Sequence, residues 1–242
     1  VEQWGVNLRI SQELGSVQLV SMTSYRDTDA DYDFDQDASS LPLVDALFLS
    51  TTKSFTQEVQ VQSMPSSPIQ WILGAFYLKS KASLNPLSLT GLAFTGQGFL
   101  ADTRYGEIKT DSLAGYAQAT VPLGEATEIT AGVRYTRDKK DFDARRVLTP
   151  IVGDPIVLPK IDTETWSKLT WRGAISHRFS EGLNVFASVS RGYKSGQFAI
   201  LNPANAPIDP ETLTAFEGGF KSDLFDRRLR FNASYFHYDH KN

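Results

Sequence analysis

Cysteine is absent from the 242 residues. That excludes a disulfide framework, a thiolate metal site and a cysteine nucleophile. No run of about eighteen apolar residues occurs, which excludes a membrane-spanning helix. Positive charge is not in excess: 24 Lys and Arg stand against 28 Asp and Glu, a net charge of -4. A nucleic-acid partner is therefore not expected, because neutralising phosphates requires a basic face. The chain opens on Val1-Glu2-Gln3-Trp4, with no Met, no basic leader and no apolar stretch. No signal peptide is legible there, so an exported chain would be a piece of a longer precursor.

What is present is an asymmetry of connections. Short polar turns fall at Glu13-Leu14-Gly15-Ser16, Pro65-Ser66-Ser67-Pro68, Leu123-Gly124-Glu125-Ala126, Ser180-Glu181-Gly182 and Asp223-Leu224-Phe225-Asp226-Arg227. Long acidic or Pro/Gly-rich stretches run roughly over 26–53, 79–104, 137–164 and 195–210. Between them lie segments that alternate with period two for about ten residues, the length a tilted strand needs to cross a bilayer. Short turns at one end and long loops at the other mark an outer-membrane β-barrel. The expected fold is an all-β antiparallel meander of about ten long strands.

The alternation is clearest in four segments. Ile69, Trp71, Leu73, Ala75 and Tyr77 share one face, as do Leu113, Gly115, Ala117, Ala119 and Val121. Ile129, Ala131, Val133 and Tyr135 oppose Thr130, Gly132, Arg134 and Thr136. Leu169, Trp171, Ile175 and Phe179 oppose Lys168, Thr170, Arg172, Ser176 and Arg178. Only every second residue would meet lipid, so a 41% hydrophobic content is compatible with a membrane wall. About ten residues after each short turn comes a tyrosine: Tyr25, Tyr77, Tyr135, Tyr193 and Tyr235. A charged residue follows each, at Arg26, Lys79, Arg137, Lys194 and Asp239. An aromatic ring at the outer interface has this form. Tyrosine is common in any strand, but five at matched depth favour the girdle.

Several of these stretches resemble a known family. They are Asp111-Ser112-Leu113-Ala114-Gly115-Tyr116-Ala117-Gln118-Ala119-Thr120 and Ile129-Thr130-Ala131-Gly132-Val133-Arg134-Tyr135-Thr136. With them go Ser54-Phe55-Thr56-Gln57-Glu58-Val59-Gln60, Ser188-Val189-Ser190-Arg191-Gly192-Tyr193-Lys194-Ser195-Gly196 and Pro210-Glu211-Thr212-Leu213-Thr214-Ala215-Phe216-Glu217-Gly218-Gly219-Phe220-Lys221. In order and spacing they resemble the barrel of TonB-dependent outer-membrane receptors, over nearly the whole chain. The resemblance implies that residues 1–242 are one segment of a 22-stranded barrel, without the N-terminal plug, the TonB box or the closing strand. It implies location in the outer membrane and uptake of a scarce nutrient, first of all a ferric siderophore. It implies partnership with TonB through the missing N-terminal part, and with outer-membrane lipid and lipopolysaccharide. No enzyme activity and no cofactor are expected.

Two sets of side chains are candidates for binding. Aspartates at 27, 29, 31, 33, 35 and 37 fall on one side of an extended chain, and Asp29, Asp31, Asp33 and Asp35 form a weak surface cation candidate. This is no EF-hand, since Tyr32 stands where glycine is needed and Ala38 where the bidentate glutamate is needed. A solvated acidic loop is the more ordinary reading. Arg134, Arg137, Lys139 and Arg145 form the second set, a basic stretch able to attract an anionic chelate or lipid A phosphates. Asp138, Asp141 and Asp143 balance it in the plainer reading of a charged loop. Gly96-Gln97-Gly98 lacks the strand and helix of a dinucleotide site and reads as a flexible external loop.

Two other classes remain open at this point. A ten-stranded outer-membrane hydrolase would use His237 and Asp239 facing the Asp27–Asp37 stretch. A soluble β-sandwich binding carbohydrate would also place its charges on the wet face.

Overall fold

The computed structural model describes residues 1–241. Ten strands follow one another: β1 (Glu2–Leu14), β2 (Val17–Asp35), β3 (Asp45–Ser63), β4 (Gln70–Thr90), β5 (Phe99–Leu123), β6 (Thr127–Pro150), β7 (Ile156–Ser180), β8 (Leu183–Lys194), β9 (Glu211–Leu224) and β10 (Leu229–Lys241). They form one antiparallel sheet in which every strand pairs with its neighbours in sequence. A one-turn helix, α1 (Leu92–Thr95), sits at the tip between β4 and β5. Among the described residues β1 and β10 do not pair with each other, so the sheet is an open wall. His237 on β10 and the Asp27–Asp37 stretch beginning on β2 therefore have seven strands between them, near opposite edges of it, and among the described residues the ten strands do not close into the barrel of a ten-stranded hydrolase.

The wall has two chemically distinct faces, and cross-strand register keeps them distinct. Leu73 pairs with Ala117, Ala117 with Val133, and Val133 with Trp171. This outer face leaves Leu73, Leu113, Val133, Leu169 and Trp171 exposed. In water such a face would be a severe aggregation hazard, whereas hydrocarbon is its natural solvent. The opposite, inner face carries Gln60, Tyr116, Arg134 and Thr170 in one row. Arg9, Glu58, Lys168, Arg172 and Arg178 lie on it too, as the alternation requires. Placing Arg or Lys on the lipid side at midplane would cost about 2–4 kcal/mol.

Tyr25, Tyr77 and Tyr135 track the tilt of the wall, whereas Tyr235 falls in the row of Gly218 and Ala187, six residues nearer the short turns than Tyr193, so the five are not at one depth. Tyr25 lies in a cross-strand row with Phe55 and Lys79, and Tyr77 is two residues nearer the short turns than Lys79. Tyr77 in turn shares a row with Leu113 and Arg137, and Tyr135 is again two residues nearer the turns. Level rings on leaning strands need this stagger. Tyr135 and Tyr235 are exposed on the outer face.

The outer connections differ from expectation. Three of the four long stretches are not loops but tall hairpins, with β5, β6 and β7 running for 25, 24 and 25 residues. Only 36–44, 91–98 and 151–155 remain as tips, and the Gly96–Gly98 stretch is part of one of them. Above the girdle the outer face meets water instead of lipid, so the apolar period disappears while the backbone ladder persists. Ion pairs across or along the strands replace it: Lys53 with Asp27 at 3.1 Å, Lys109 with Glu107 at 3.0 Å, and Lys139 with Asp141 at 3.0 Å. Residues 195–210 are a true loop, as expected.

Candidate functional site at the outer mouth

The inner face of the tall hairpins is covered by the segment 195–210, which folds back over β5, β6 and β7 as a strap. Its anchor is Phe198, only 5% exposed, stacked on Phe142 with ring centroids 4.8 Å apart. Trp166 leans on Phe198 at 6.1 Å, and Ile108 and Ile200 complete the cluster. Gly106 makes room for the strap: a Cβ there would lie 2.5 Å from Ile200 Cγ1. Lys140 Nζ donates to the Gly196 carbonyl at 2.7 Å and stands over the Trp166 ring at 5.8 Å. The strap closes on itself through paired backbone bonds between Gln197 and Ile208.

One buried charge cluster ties the strap to the wall. Asp102 of β5 is 1% exposed and accepts from two arginines. Arg104 donates from Nη2 at 2.7 Å and Arg146 from Nε at 2.9 Å and Nη2 at 2.8 Å. Arg104 also reaches the strap, donating from Nη1 to the Leu201 carbonyl at 2.5 Å and to Asn202 Oδ1 at 3.2 Å. Burial by itself would raise the Asp102 carboxyl. The bonds from Arg146 and Arg104 outweigh it and hold the group below its ordinary range.

Lower on the inner wall is a second cluster. The Tyr116 ring lies over Gly74, where no side chain would fit, and its hydroxyl donates to Glu58. Gln60 Nε2 donates to Glu58 at 3.0 Å and to the Tyr116 hydroxyl at 2.9 Å. Arg134 stands over the rings of both Tyr116 and Phe76, its Cζ 5.4 Å from each centroid. A hollow of about 400 Å³ opens beside it, lined by Gln118, Gly132, Arg172 and Ser190 among others.

The structure separates the basic residues that the sequence groups together. Arg134 faces inward, while Arg137, Lys139 and Arg145 lie on the outer face of β6. Arg145 covers the Tyr105 ring at 4.4 Å, and Lys139 pairs with Asp141. Asp29, Asp31, Asp33 and Asp35 occupy one face of β2, the outer one, spaced along the strand and not gathered round a point. No group of three or more potential metal ligands comes together among the described residues. At the adjoining tip Asp37 accepts from the backbone N–H groups of Ser39 at 3.1 Å and Val44 at 2.7 Å, shaping the hairpin end. The Asp102–Arg104–Arg146 cluster went unread in the sequence, although even-numbered positions of β5 and β6 stay on the inner face throughout.

An open wall with a lipid face, a polar inner face and a strap lining the inner side of its tall hairpins is the architecture of part of a large outer-membrane barrel. The chain belongs to the family described as TonB dependent receptor-like, beta-barrel, whose profile matches residues 1–242. These are outer-membrane proteins, receptors and transporters by class. The metal-pseudopaline receptor CntO of Pseudomonas aeruginosa (strain UCBPP-PA14) is 26% identical over 134 residues, covering 55% of this chain and 18% of that protein. The ferric yersiniabactin uptake receptor FyuA from Yersinia pestis superposes with a TM-score of 0.84 at 15% identity, over 99% of this chain and 36% of the receptor. The ferric-catecholate import receptor Fiu from E. coli K12, in its open form, gives 0.70 at 14% identity, over 98% and 40%. This chain thus spans well under half the length of each of these three relatives.

Proposed function

We propose that residues 1–242 form one wall segment of a 22-stranded receptor that imports a ferric siderophore across the outer membrane. The inner face of the outer end, the vestibule of the whole barrel in this reading, supports it: strap and tall hairpins set the half-buried Trp166 and the partly exposed Arg146 on that face. Aromatic and cationic surface of that kind suits a bulky chelate that is partly apolar and partly charged. The metal and siderophore names carried by relatives of the same family support this ligand class. Energy would come from TonB, engaged by an N-terminal part of the whole receptor. The residues of this wall would bind and guide, with no covalent step assigned to them. Uptake of radioactive iron by cells carrying the full-length receptor, tested with a panel of ferric chelates, decides the matter. Uptake of none of them would sink the siderophore reading.

The outer face supports a second contact. Arg137 and Lys139, with Lys53 and Lys81 of neighbouring hairpins, stand just above the tyrosine girdle, where lipopolysaccharide phosphates would lie, and Arg145 stands ten residues beyond Tyr135. The Asp29–Asp35 column rises from that layer and at its lower end would meet the divalent cations that bridge such phosphates. Charge reversal at Lys53, Lys81 and Lys139 should reduce the lipopolysaccharide retained on purification. Unchanged retention would remove this contact.

A further inference from the structure

We propose that Arg146 is an anion subsite of the vestibule, built to take a carboxylate or similarly charged oxygen of a metal chelate. The proposal rests on the uptake reading above and deepens it. One carboxylate, Asp102, lies buried beneath two guanidinium groups, so the cluster keeps a surplus positive charge. The two arginines are not equivalent. Arg104 is spent: Nε and Nη2 face Asp102, and Nη1 holds the strap. Its side chain is 15% exposed. Arg146 uses only Nε and Nη2, both on Asp102, and is 40% exposed. Its Nη1 makes no hydrogen bond among the described residues. Asp102 thereby fixes the plane of a guanidinium whose unused edge is free for an incoming oxygen.

Position supports the assignment. Arg146 is on the inner face, opposite Arg104 and one step beyond Ala144, which lies in the strap cluster. If the triad served only to hold the strap, Arg104 and Asp102 would suffice, and Arg146 would add a half-buried cation with no second acceptor. Half-buried, that charge is less screened than one on an open surface. Asp102 is then a positioning residue, and Arg146 the residue that touches the ligand.

The test uses the full-length receptor in detergent, with ferric citrate as the anionic probe and a neutral ferric trihydroxamate as its counterpart. Binding is read by quenching of tryptophan fluorescence. Arg146→Gln should weaken ferric citrate at least tenfold and leave the neutral chelate within a factor of two. Arg146→Lys, which keeps the charge but loses the fork, should recover part of the loss. Arg104→Gln should loosen the strap, read as faster protease cleavage within 195–210, a change that Arg146→Gln should not reproduce. Equal weakening of both probes, or no weakening of either, overturns the subsite. Binding of the neutral probe alone by the unaltered receptor overturns the subsite and leaves siderophore uptake standing. Binding of neither removes both.

Discussion

The ring of Phe198 lies flat on that of Phe142, 8° from parallel, although the two are 56 positions apart in the chain, with all of β7 and β8 between them. That contact decides whether residues 195–210 roof the mouth or hang free in water. Replacing Phe198 by Ala should remove about 3 kcal/mol or more of local docking energy. Limited proteolysis of the full-length receptor should then cut within 195–210, while the heat-modifiable mobility of the barrel on gels stays as in the unaltered protein. Resistance equal to wild type would show that the stack does not hold the strap.

Acid should release the same strap. The Asp102 carboxyl is held below its ordinary value of 3.8 by Arg146 and Arg104, against burial, which pushes the other way. A lowered carboxyl stabilises the folded arrangement above the unfolded value and loses that contribution as pH falls through the folded one. Hydrogen exchange in 195–210 should therefore stay constant from pH 7 to about 4, after correction for the intrinsic rate, and quicken only below that. Asp102→Asn should quicken it at every pH.

The two faces of the wall predict opposite responses to one added charge. Val133→Arg puts a guanidinium into lipid and should cost about 2–4 kcal/mol. Ser188→Arg enters the inner face opposite Glu217 and should cost less than about 1 kcal/mol. Urea-induced unfolding from lipid vesicles measures both. A reversed order would mean that the faces are assigned the wrong way round.

Gly74 supplies the space in which the Tyr116 ring lies. Gly74→Val should displace that ring from Glu58 and Gln60 and lower stability by about 1–3 kcal/mol. Tyr116→Ala in the same background should cancel most of the added cost. Full additivity of the two changes would show that they do not share this contact.

The strands were legible wherever two solvents meet across the wall. Ile129, Ala131, Val133 and Tyr135 alternate with polar residues because one side faces hydrocarbon, and the register confirms that set. Legibility ended at the girdle. From Asp138 to Val147 of β6 charged residues occupy both faces, so a period-two reading sees a loop where the structure has a ladder. Asp102 and Arg146 are 44 residues apart, and nothing local marks them as partners. Only counting even positions upward from Ala114, with no bulge to shift the parity, would have brought them to the same side. Phe198 gave no signal either, because a single aromatic among Gly, Pro and Asn residues has no periodicity to read. The basic stretch of β6 was visible as composition, but side-to-side alternation sends Arg134 one way and Arg145 the other.

The slippage from Tyr25 to Tyr77 to Tyr135 also fixes a geometry. Two residues per two strands is one residue per strand, a climb of about 3.3 Å for each lateral step of about 4.8 Å. Strands so displaced lean by roughly 35° from the pore axis, and each residue then advances about 2.7 Å along it. Nine or ten residues cover an apolar thickness of about 25 Å. The run from the short turn to Tyr25 or Tyr135, nine residues of strand in each case, is thus the bilayer's own depth, written along a slant.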